Sequence, residues 1–347
     1  MADLARRHAA TAETVENAVL AVLRSGRWIG GPVVQEAEAA IAHAFGREAA
    51  VGVASGTDAL ILALQASGVT AGDEVAVPAL TFFATAGAVC ALGAVPRIVD
   101  VDARGLMDAA ALERLDGARL RAVVPVHLFG NRCTVQRIGV RTVDDAAQAI
   151  GCTPAASTGE LTALSTYPTK MLSSAGDGGF VVGDRSVVER VRRLGSHGLV
   201  GPHLHERVAG HVGRNSRLDA MSAAVVLGQL PTLGDRIRRR QAIARHYDER
   251  MSPALLPLQR DPANPVPSYL VRAADRDALV AHLDRHGIDS TVYYPRPLHR
   301  QPALVGRIPP SECPVADRLC TELLAIPVHA GLTDDEVERV AKALESA

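Results

Sequence analysis

A chain of 347 residues is longer than one hydrophobic core comfortably supports, so its length predicts one large domain and one smaller one. With 48% hydrophobic and 22% charged residues it has the composition of a soluble globular protein, and a net charge of −1 argues against nucleic-acid or anionic-membrane partners. Five cysteines without CxxC spacing (Cys90, Cys133, Cys152, Cys313, Cys320) read as reduced thiols of a cytoplasmic protein, and the stretch Met1 to Arg7 lacks a signal peptide's apolar run.

Val15, Val19, Val22 and Leu23 recur at helical spacing over 11–24, and Gly26 supplies a C-terminal cap. Pro32 opens a second helix that runs to Phe45 and stops at Gly46. Strand-like runs fall at 49–53, 74–77, 95–100, 120–126 and 140–144, with helical patterns at 57–68, 82–92 and 108–115 between the first four. This alternation predicts an α/β domain with a mostly parallel sheet flanked by helices. The stretch from Gly130 to Val140 is too short for a full crossover helix.

Val75 to Pro96 carries no charge, a run long enough to span a bilayer. Pro78, Thr81, Thr85 and Gly87 interrupt it, and a buried strand, loop and helix account for it better. Strands at 161–166 and 179–183, a helix at 185–195 and helices at 216–230 and 233–251 complete a large unit, 1–250. Pro253, Pro257, Pro262, Pro265 and Pro267 read as a linker. Beyond it, a strand at 268–272, a helix at 275–287, a strand at 289–293 and helices at 314–324 and 333–345 predict a smaller α/β unit, 251–347.

Only two lysines occur, Lys170 and Lys342; every other basic side chain among the 37 Lys and Arg is arginine. Arginine stays protonated and cannot form a Schiff base, whereas a deprotonated lysine can. Lys170 ends the run Ser165-Thr166-Tyr167-Pro168-Thr169-Lys170, with Gly176-Asp177-Gly178-Gly179 beyond it and Asp144-Asp145 upstream. A pyridoxal phosphate (PLP) site needs such a lysine, an acid for the ring nitrogen, a phosphate cup and a platform for the ring. Ser55-Gly56-Thr57-Asp58 follows a strand and opens a helix, which suits a phosphate cup or a plain helix cap. Asp145, at a strand end, suits the ring nitrogen or the cap of a helix over 146–150. Phe82 suits a ring platform or the core. His203, His205, Glu206 and His211 lack a helical i,i+4 pair and read as a surface loop, so no metal is expected. His127 and His299 are equally well read as partly buried structural histidines.

Several longer motifs occur in a fixed order. They are Ser25-Gly-Arg-Trp-Ile-Gly-Gly-Pro32, Ser55-Gly-Thr-Asp-Ala-Leu60, Gly72-Asp-Glu-Val75 and Val99-Asp-Val-Asp102, then Pro125-Val-His-Leu-Phe-Gly130, Asp144-Asp-Ala-Ala-Gln-Ala149, Gly213-Arg-Asn-Ser-Arg-Leu218 and Tyr293-Tyr-Pro-Arg-Pro-Leu-His299. From about residue 14 to 345 the chain resembles the DegT/StrS sugar aminotransferases, PLP enzymes of fold type I with an aspartate-aminotransferase-like architecture. The resemblance implies that Lys170 holds PLP and shuttles a proton. Asp145 would pair with the ring nitrogen, Gln148 would contact the phenolic oxygen side, and Phe82 would stack on the ring. Gly56, Thr57 and Ser165 would bind the phosphate. Asn215 would reach the phosphate in a neighbouring subunit, making a homodimer with shared sites, and Arg217, Tyr294 and His299 would face substrate. Departures from the family pattern are Asp144 for glutamate, Thr166 for an aromatic, and the trimmed segment between Gly130 and Val140.

The implied reaction moves an amino group from L-glutamate or another amino acid, through pyridoxamine phosphate, to a ketone. That ketone belongs to a nucleotide-linked deoxysugar of antibiotic or surface-glycan biosynthesis; the alternative is an inosose-type cyclitol ketone. Sugar-dehydrating relatives carry histidine at the lysine position, which Lys170 argues against. A non-catalytic regulatory paralogue would be expected to have lost Lys170, Asp145 or Ser165, and all three are present.

Overall fold

Two unequal sheets organise the computed structural model, which describes residues 3–115, 119–135, 139–152, 157–201, 204–207 and 212–347. Helix α1 (Leu4–Ala9) buries no residue, so no apolar periodicity announces it in the sequence. In α2 (Ala12–Ser25) Val15 and Val22 are buried, and Gly26 ends the helix at φ 65°, a left-handed conformation that glycine adopts without strain. The next helix, α3 (Pro32–Ala44), opens on its proline.

The expected alternation follows: β1 (Ala49–Val53), α4 (Gly56–Ala66), β2 (Glu74–Pro78), α5 (Ala84–Ala91), β3 (Val95–Val99), α6 (Ala109–Glu113) and β4 (Leu120–Val123). Between β4 and β5 (Arg141–Asp145) the described residues form one short 3-10 turn, Leu128–Gly130, and no crossover helix. Next come β6 (Leu161–Ser165), β7 (Gly179–Gly183) and α7 (Arg185–Gly195). The seven strands lie in the order β1-β7-β6-β5-β4-β2-β3. Neighbours from β3 to β6 run parallel, whereas β7 runs antiparallel to both β6 and β1. Every residue of β2, β6 and β7 is buried, which explains sequences that are apolar apart from Glu74, Thr162 and Ser165. The uncharged stretch after Val75 is accounted for by β2, a loop and α5; among the described residues no helix is long and apolar enough to cross a membrane.

A hairpin of β8 (Leu199–Gly201) and β9 (Leu204–Arg207) precedes α8 (Ala220–Gln229). That helix starts four residues later than its apolar pattern suggests, because the Asp219 carboxylate accepts the Ser222 N–H at 2.8 Å and caps it. Of the histidine cluster, His203 and His211 lie outside the described residues, while His205 and Glu206 belong to β9. Among the described residues no three His, Cys, Asp or Glu side chains are grouped to hold a metal ion.

After α8 the chain continues through α9 (Leu233–Arg250), β10 (Leu256–Pro257), β11 (Tyr269–Arg272), α10 (Arg276–Arg285), α11 (Pro314–Glu322), β12 (Leu323–Ile326) and α12 (Asp334–Glu345). These strands form an antiparallel sheet in the order β10-β11-β12. Ile243, Ala244 and Tyr247 of α9 pack in one cluster with Val271, Leu324 and Val340. Three sequence expectations fail here. The proline-rich stretch is packed rather than a linker: Leu255, Leu258 and Val266 are buried, and Pro257 sits in an edge strand, where its missing N–H is tolerated. Residues 289–293 form no strand; Thr291 alone bridges to Ala325. The last residues of the expected helix 314–324 belong to β12, because a short fully buried run has the same appearance as helix or strand.

Candidate active site

Topology brings three strand ends together. Because β7 inserts between β1 and β6, the C-terminal ends of β1 and β6 point the same way, and β5 lies parallel beside β6. Gly179, the first residue of β7, pairs with both Val53 and Ser165. A Cβ on Gly179 would stand 2.6 Å from the Leu164 carbonyl and 2.7 Å from that of Ser55, so only glycine permits this approach. Ligands of α/β sheets bind at such carboxyl ends.

A cavity of about 770 Å³ opens there, and Gly56, Thr57, Phe82, Asp145, Gln148, Ser165, Lys170 and Tyr294 all line it. Ser55 caps α4 by accepting the Asp58 N–H at 3.1 Å. Gly56 and Thr57 then occupy the first turn, whose N–H groups lack intrahelical acceptors and favour an anion. Gly56 lies against Ser165: an added Cβ would meet the Ser165 Cβ at 2.6 Å and its Oγ at 3.0 Å. Gly56→Ala should therefore push α4 off β6, costing about 1–3 kcal/mol of stability and weakening cofactor retention. Thermal melts and cofactor titration check this, and wild-type cofactor affinity in the variant would contradict it.

Asp145 is 6% exposed. Its carboxylate accepts Thr85 Oγ1–H at 3.0 Å and the Ala147 N–H at 3.2 Å, and Thr81 Oγ1 is 3.0 Å from Thr85 Oγ1. Burial raises its pKa above the ordinary carboxylate value, opposed by those two hydrogen bonds and by the charges of Lys170 and His127. No helix follows it: 147–148 form a turn, which removes the reading of Asp145 as a helix cap. Asp144 points the other way, as strand alternation requires. It is fully buried and accepts from the Thr158 N–H at 2.6 Å, the Gly159 N–H at 2.7 Å and the hydroxyls of Thr158 and Thr162. Asp144 therefore secures the sheet, and Asp145 alone of the pair reaches the cavity.

Lys170 sits in the loop that joins antiparallel β6 to β7. Its N–H donates to the Tyr167 carbonyl at 2.8 Å, and the Ser174 N–H donates to Thr166 at 2.7 Å. Burial lowers the Lys170 pKa, opposed by the charge of Asp145. A lowered amine is what a nucleophilic lysine needs. Gln148 has a fixed orientation, accepting the Phe129 N–H at 2.8 Å and donating to the Tyr294 hydroxyl at 3.4 Å. Burial raises the Tyr294 pKa, keeping the phenol protonated. The exposed Phe82 ring lies 6.4 Å from that of Tyr294.

Asn215, Arg217 and His299 do not line this cavity in a single chain. Asn215 and Arg217 are exposed, with Asn215 bridged to Ser196. His299 is buried with its Nε2 3.3 Å from Asp317 Oδ1. His127 is fully buried; its Nδ1 accepts the Cys133 N–H at 3.0 Å, and its Nε2 lies 3.7 Å from Asp144. Sequence reasoning missed Thr85, Asp177, Tyr293 and Arg240 around the cavity. For Thr85 a signal existed, since Thr81 and Thr85 are hydroxyls one helical turn apart in an otherwise apolar stretch.

The model of the DegT/DnrJ/EryC1/StrS aminotransferase family matches residues 9–345. The chain belongs to this family. It is similar to the dTDP-3-amino-3,4,6-trideoxy-alpha-D-glucose transaminase of Streptomyces venezuelae, with 38% identity over 96% of this chain and 91% of that one. With the UDP-N-acetyl-3-dehydro-alpha-D-glucosamine 3-aminotransferase of Acidithiobacillus ferrooxidans it shares 35% identity over 98% of this chain and 95% of the relative. Among solved structures, S. venezuelae DesV in complex with a ketimine intermediate superposes with a TM-score of 0.91 at 35% identity, covering 99% and 96% of the two chains. The protein is a DegT/StrS-type aminotransferase, and its cofactor is pyridoxal phosphate. The cavity suits that group: it combines a tight glycine–serine cup, a buried carboxylate and a half-buried lysine with a lowered pKa.

Proposed function

We propose that this cavity transfers an amino group from an amino acid, with L-glutamate the expected donor, to a ketone on a nucleotide-linked deoxysugar. The observation that carries the reading is the convergence of Lys170, Asp145 and the Gly56–Ser165 cup on one cavity, together with relatives whose names specify nucleotide-sugar transamination. When bound, PLP supplies an electron sink for the carbon that loses or gains a proton. Lys170 would carry the cofactor's aldehyde. Its Nζ, shifted toward neutrality by burial, would accept and return that proton. Asp145 would hold the ring nitrogen protonated, with Thr85 and Ala147 fixing the carboxylate. Gly56, Thr57 and Ser165 would bind the phosphate, Gln148 the phenolic oxygen side, and Phe82 one ring face.

The assembly proposed is a homodimer. Asn215 is exposed and off the cavity wall, which suits a residue that completes the partner's site rather than its own. Arg217, two residues on, would approach substrate from the same side, with Tyr294 facing it from within the chain; for His299, buried against Asp317, the structure offers no substrate contact. Five free cysteines, four of them buried, suit a reducing cytoplasm.

The test is to incubate the holoenzyme and glutamate with nucleotide-linked keto-sugars and with cyclitol ketones, following product mass. Amination of the nucleotide sugar is expected; amination of cyclitol ketones alone would overturn the substrate assignment. Mixing Lys170→Ala with Asn215→Ala protein should restore part of the activity, because a heterodimer holds one site free of both lesions. Verified heterodimers as inactive as their parents would refute shared sites.

A further inference from the structure

Outside the cavity, side chains of three residues hold the loop that bears Lys170: Arg236 donates to the Met171 carbonyl at 3.0 Å, Gln229 to the Ser173 carbonyl at 2.9 Å, and only Arg7 of the three bonds Lys170 itself. Arg7, on α1, donates from Nη1 to the Lys170 carbonyl at 2.8 Å and from Nη2 to Ser173 Oγ at 2.6 Å, and Nη2 also bonds the Pro168 carbonyl. One acceptor belongs to Lys170 itself and the other two precede and follow it, in a loop whose Tyr167 and Thr169 are exposed. No ion pair of Arg7 with a carboxylate is found among the described residues. The cations Arg236 and Arg240 lie within the influence of Arg7's charge; Arg236 donates to the carbonyls of Met171, in the same loop, and of Gln229, and Arg240 to those of Val266 and Pro267. The guanidinium is partly buried, which lowers its pKa, and its planar donor set goes to the lysine loop.

The helix that delivers Arg7 has no apolar anchor, since α1 buries no residue. Arg6, its neighbour, turns to the C-terminal part, donating to Glu336 at 2.7 Å and to the Gly331 carbonyl at 3.2 Å. Adjacent arginines thus tie one short helix to the lysine loop and to the start of α12. The pair of Arg6 with Glu336 is half-exposed and contributes little by itself. The Arg7 contacts are multidentate and shielded, and a fork of fixed geometry orients what it holds.

We propose that Arg7 is a positioning residue for Lys170: its guanidinium fixes the backbone on both sides of the lysine and so aims Nζ into the cavity. This rests on the reading of Lys170 as the cofactor-bearing lysine. Misplacement of a reacting group by about 1 Å can cost on the order of 100-fold in rate, which sets the scale of the expected effect.

The experiment measures how fast PLP added to the full-length apo-protein becomes fixed to Lys170, by borohydride quenching and peptide mapping, alongside kcat and KM. Wild-type label elsewhere than Lys170 would refute the lysine assignment itself, and the Arg7 inference with it. With label on Lys170, Arg7→Ala should slow labelling and lower kcat by roughly tenfold or more, leaving KM for the amino donor within about threefold. Arg6→Ala should leave all three unchanged. A cavity of about 540 Å³ lined by Arg7, Pro168 and Ser173 adjoins the contact, so millimolar guanidinium should partly restore the Arg7→Ala labelling rate. Wild-type labelling and kcat in Arg7→Ala would overturn the proposal. So would an equal loss in Arg6→Ala, because docking of α1 as a whole would then be responsible. If Arg7→Ala does not fold, Arg7→Lys decides: it keeps the charge but cannot hold three acceptors in one plane. Wild-type labelling in Arg7→Lys, or failure of both variants to fold, would overturn the positioning role.

Discussion

Replacing Lys170 with alanine or arginine should abolish turnover and leave the protein folded. Neither replacement offers an amine that can lose its proton: alanine has none, and a guanidinium stays protonated throughout the usable pH range. The arginine variant separates charge from chemistry, since it retains the positive charge facing Asp145. Purified wild-type protein should be yellow, absorbing at ~420 nm as a lysine-bound PLP chromophore does. Borohydride should fix the cofactor to the peptide containing Lys170. Lys342 is an internal control: it is the only other lysine, it lies on α12, and its side chain is exposed, 3.8 Å from Glu338. Label on Lys342, or turnover by Lys170→Arg above a buffer blank, would remove Lys170 from its assigned role. Loss of turnover should approach the whole enzymatic acceleration, because no other described side chain lining the cavity is a lysine.

The large sheet was legible because its strands are buried on both faces and therefore read as apolar runs separated by helices. What could not be read is strand order and direction. Nothing in Gly179–Gly183 reveals that this strand runs against its neighbours, yet that reversal places Lys170 in a β6–β7 loop beside α4. Ser55, Asp145 and Ser165 could each be singled out as polar residues at strand ends; that they converge is a consequence of topology. The Asp144-Asp145 pair had a hidden division of labour that alternation explains afterwards: one carboxylate is consumed by Thr158, Gly159 and Thr162, and the other reaches the cavity. Helix α1 was silent for a different reason. It docks through Arg6 and Arg7 rather than through an apolar stripe, and hydrogen-bonded docking leaves no periodic signature.

Asp145→Asn should lower kcat by roughly 10³-fold or more, about 4 kcal/mol of transition-state stabilisation, with little change in fold. Asparagine keeps the size of the side chain; its single oxygen can still accept the Ala147 N–H, and its NH2 would donate to the Thr85 hydroxyl in place of the second carboxylate oxygen. It cannot carry the negative charge that keeps a ring nitrogen protonated, so the electron sink would be weakened at its source. Stability offers an independent measurement with a definite sign. Burial raises the folded-state pKa of Asp145 above the ordinary aspartate value of 3.8, so the native protein binds more protons than the unfolded chain between that value and the raised one. Stability of the cofactor-free protein therefore falls as pH rises through that window, and the loss persists above it. An asparagine does not titrate and removes this loss. Cofactor-free Asp145→Asn should consequently melt at or above the wild-type temperature near neutral pH, while PLP should stabilise the wild type more than the variant, since a protonated ring would compensate a buried carboxylate and not an amide. Melts across pH with and without PLP, beside kcat, separate the possibilities. An active variant would show that Asp145 has no part in the chemistry. A variant destabilised without PLP by more than about 1 kcal/mol would show that the carboxylate's two hydrogen bonds outweigh its burial.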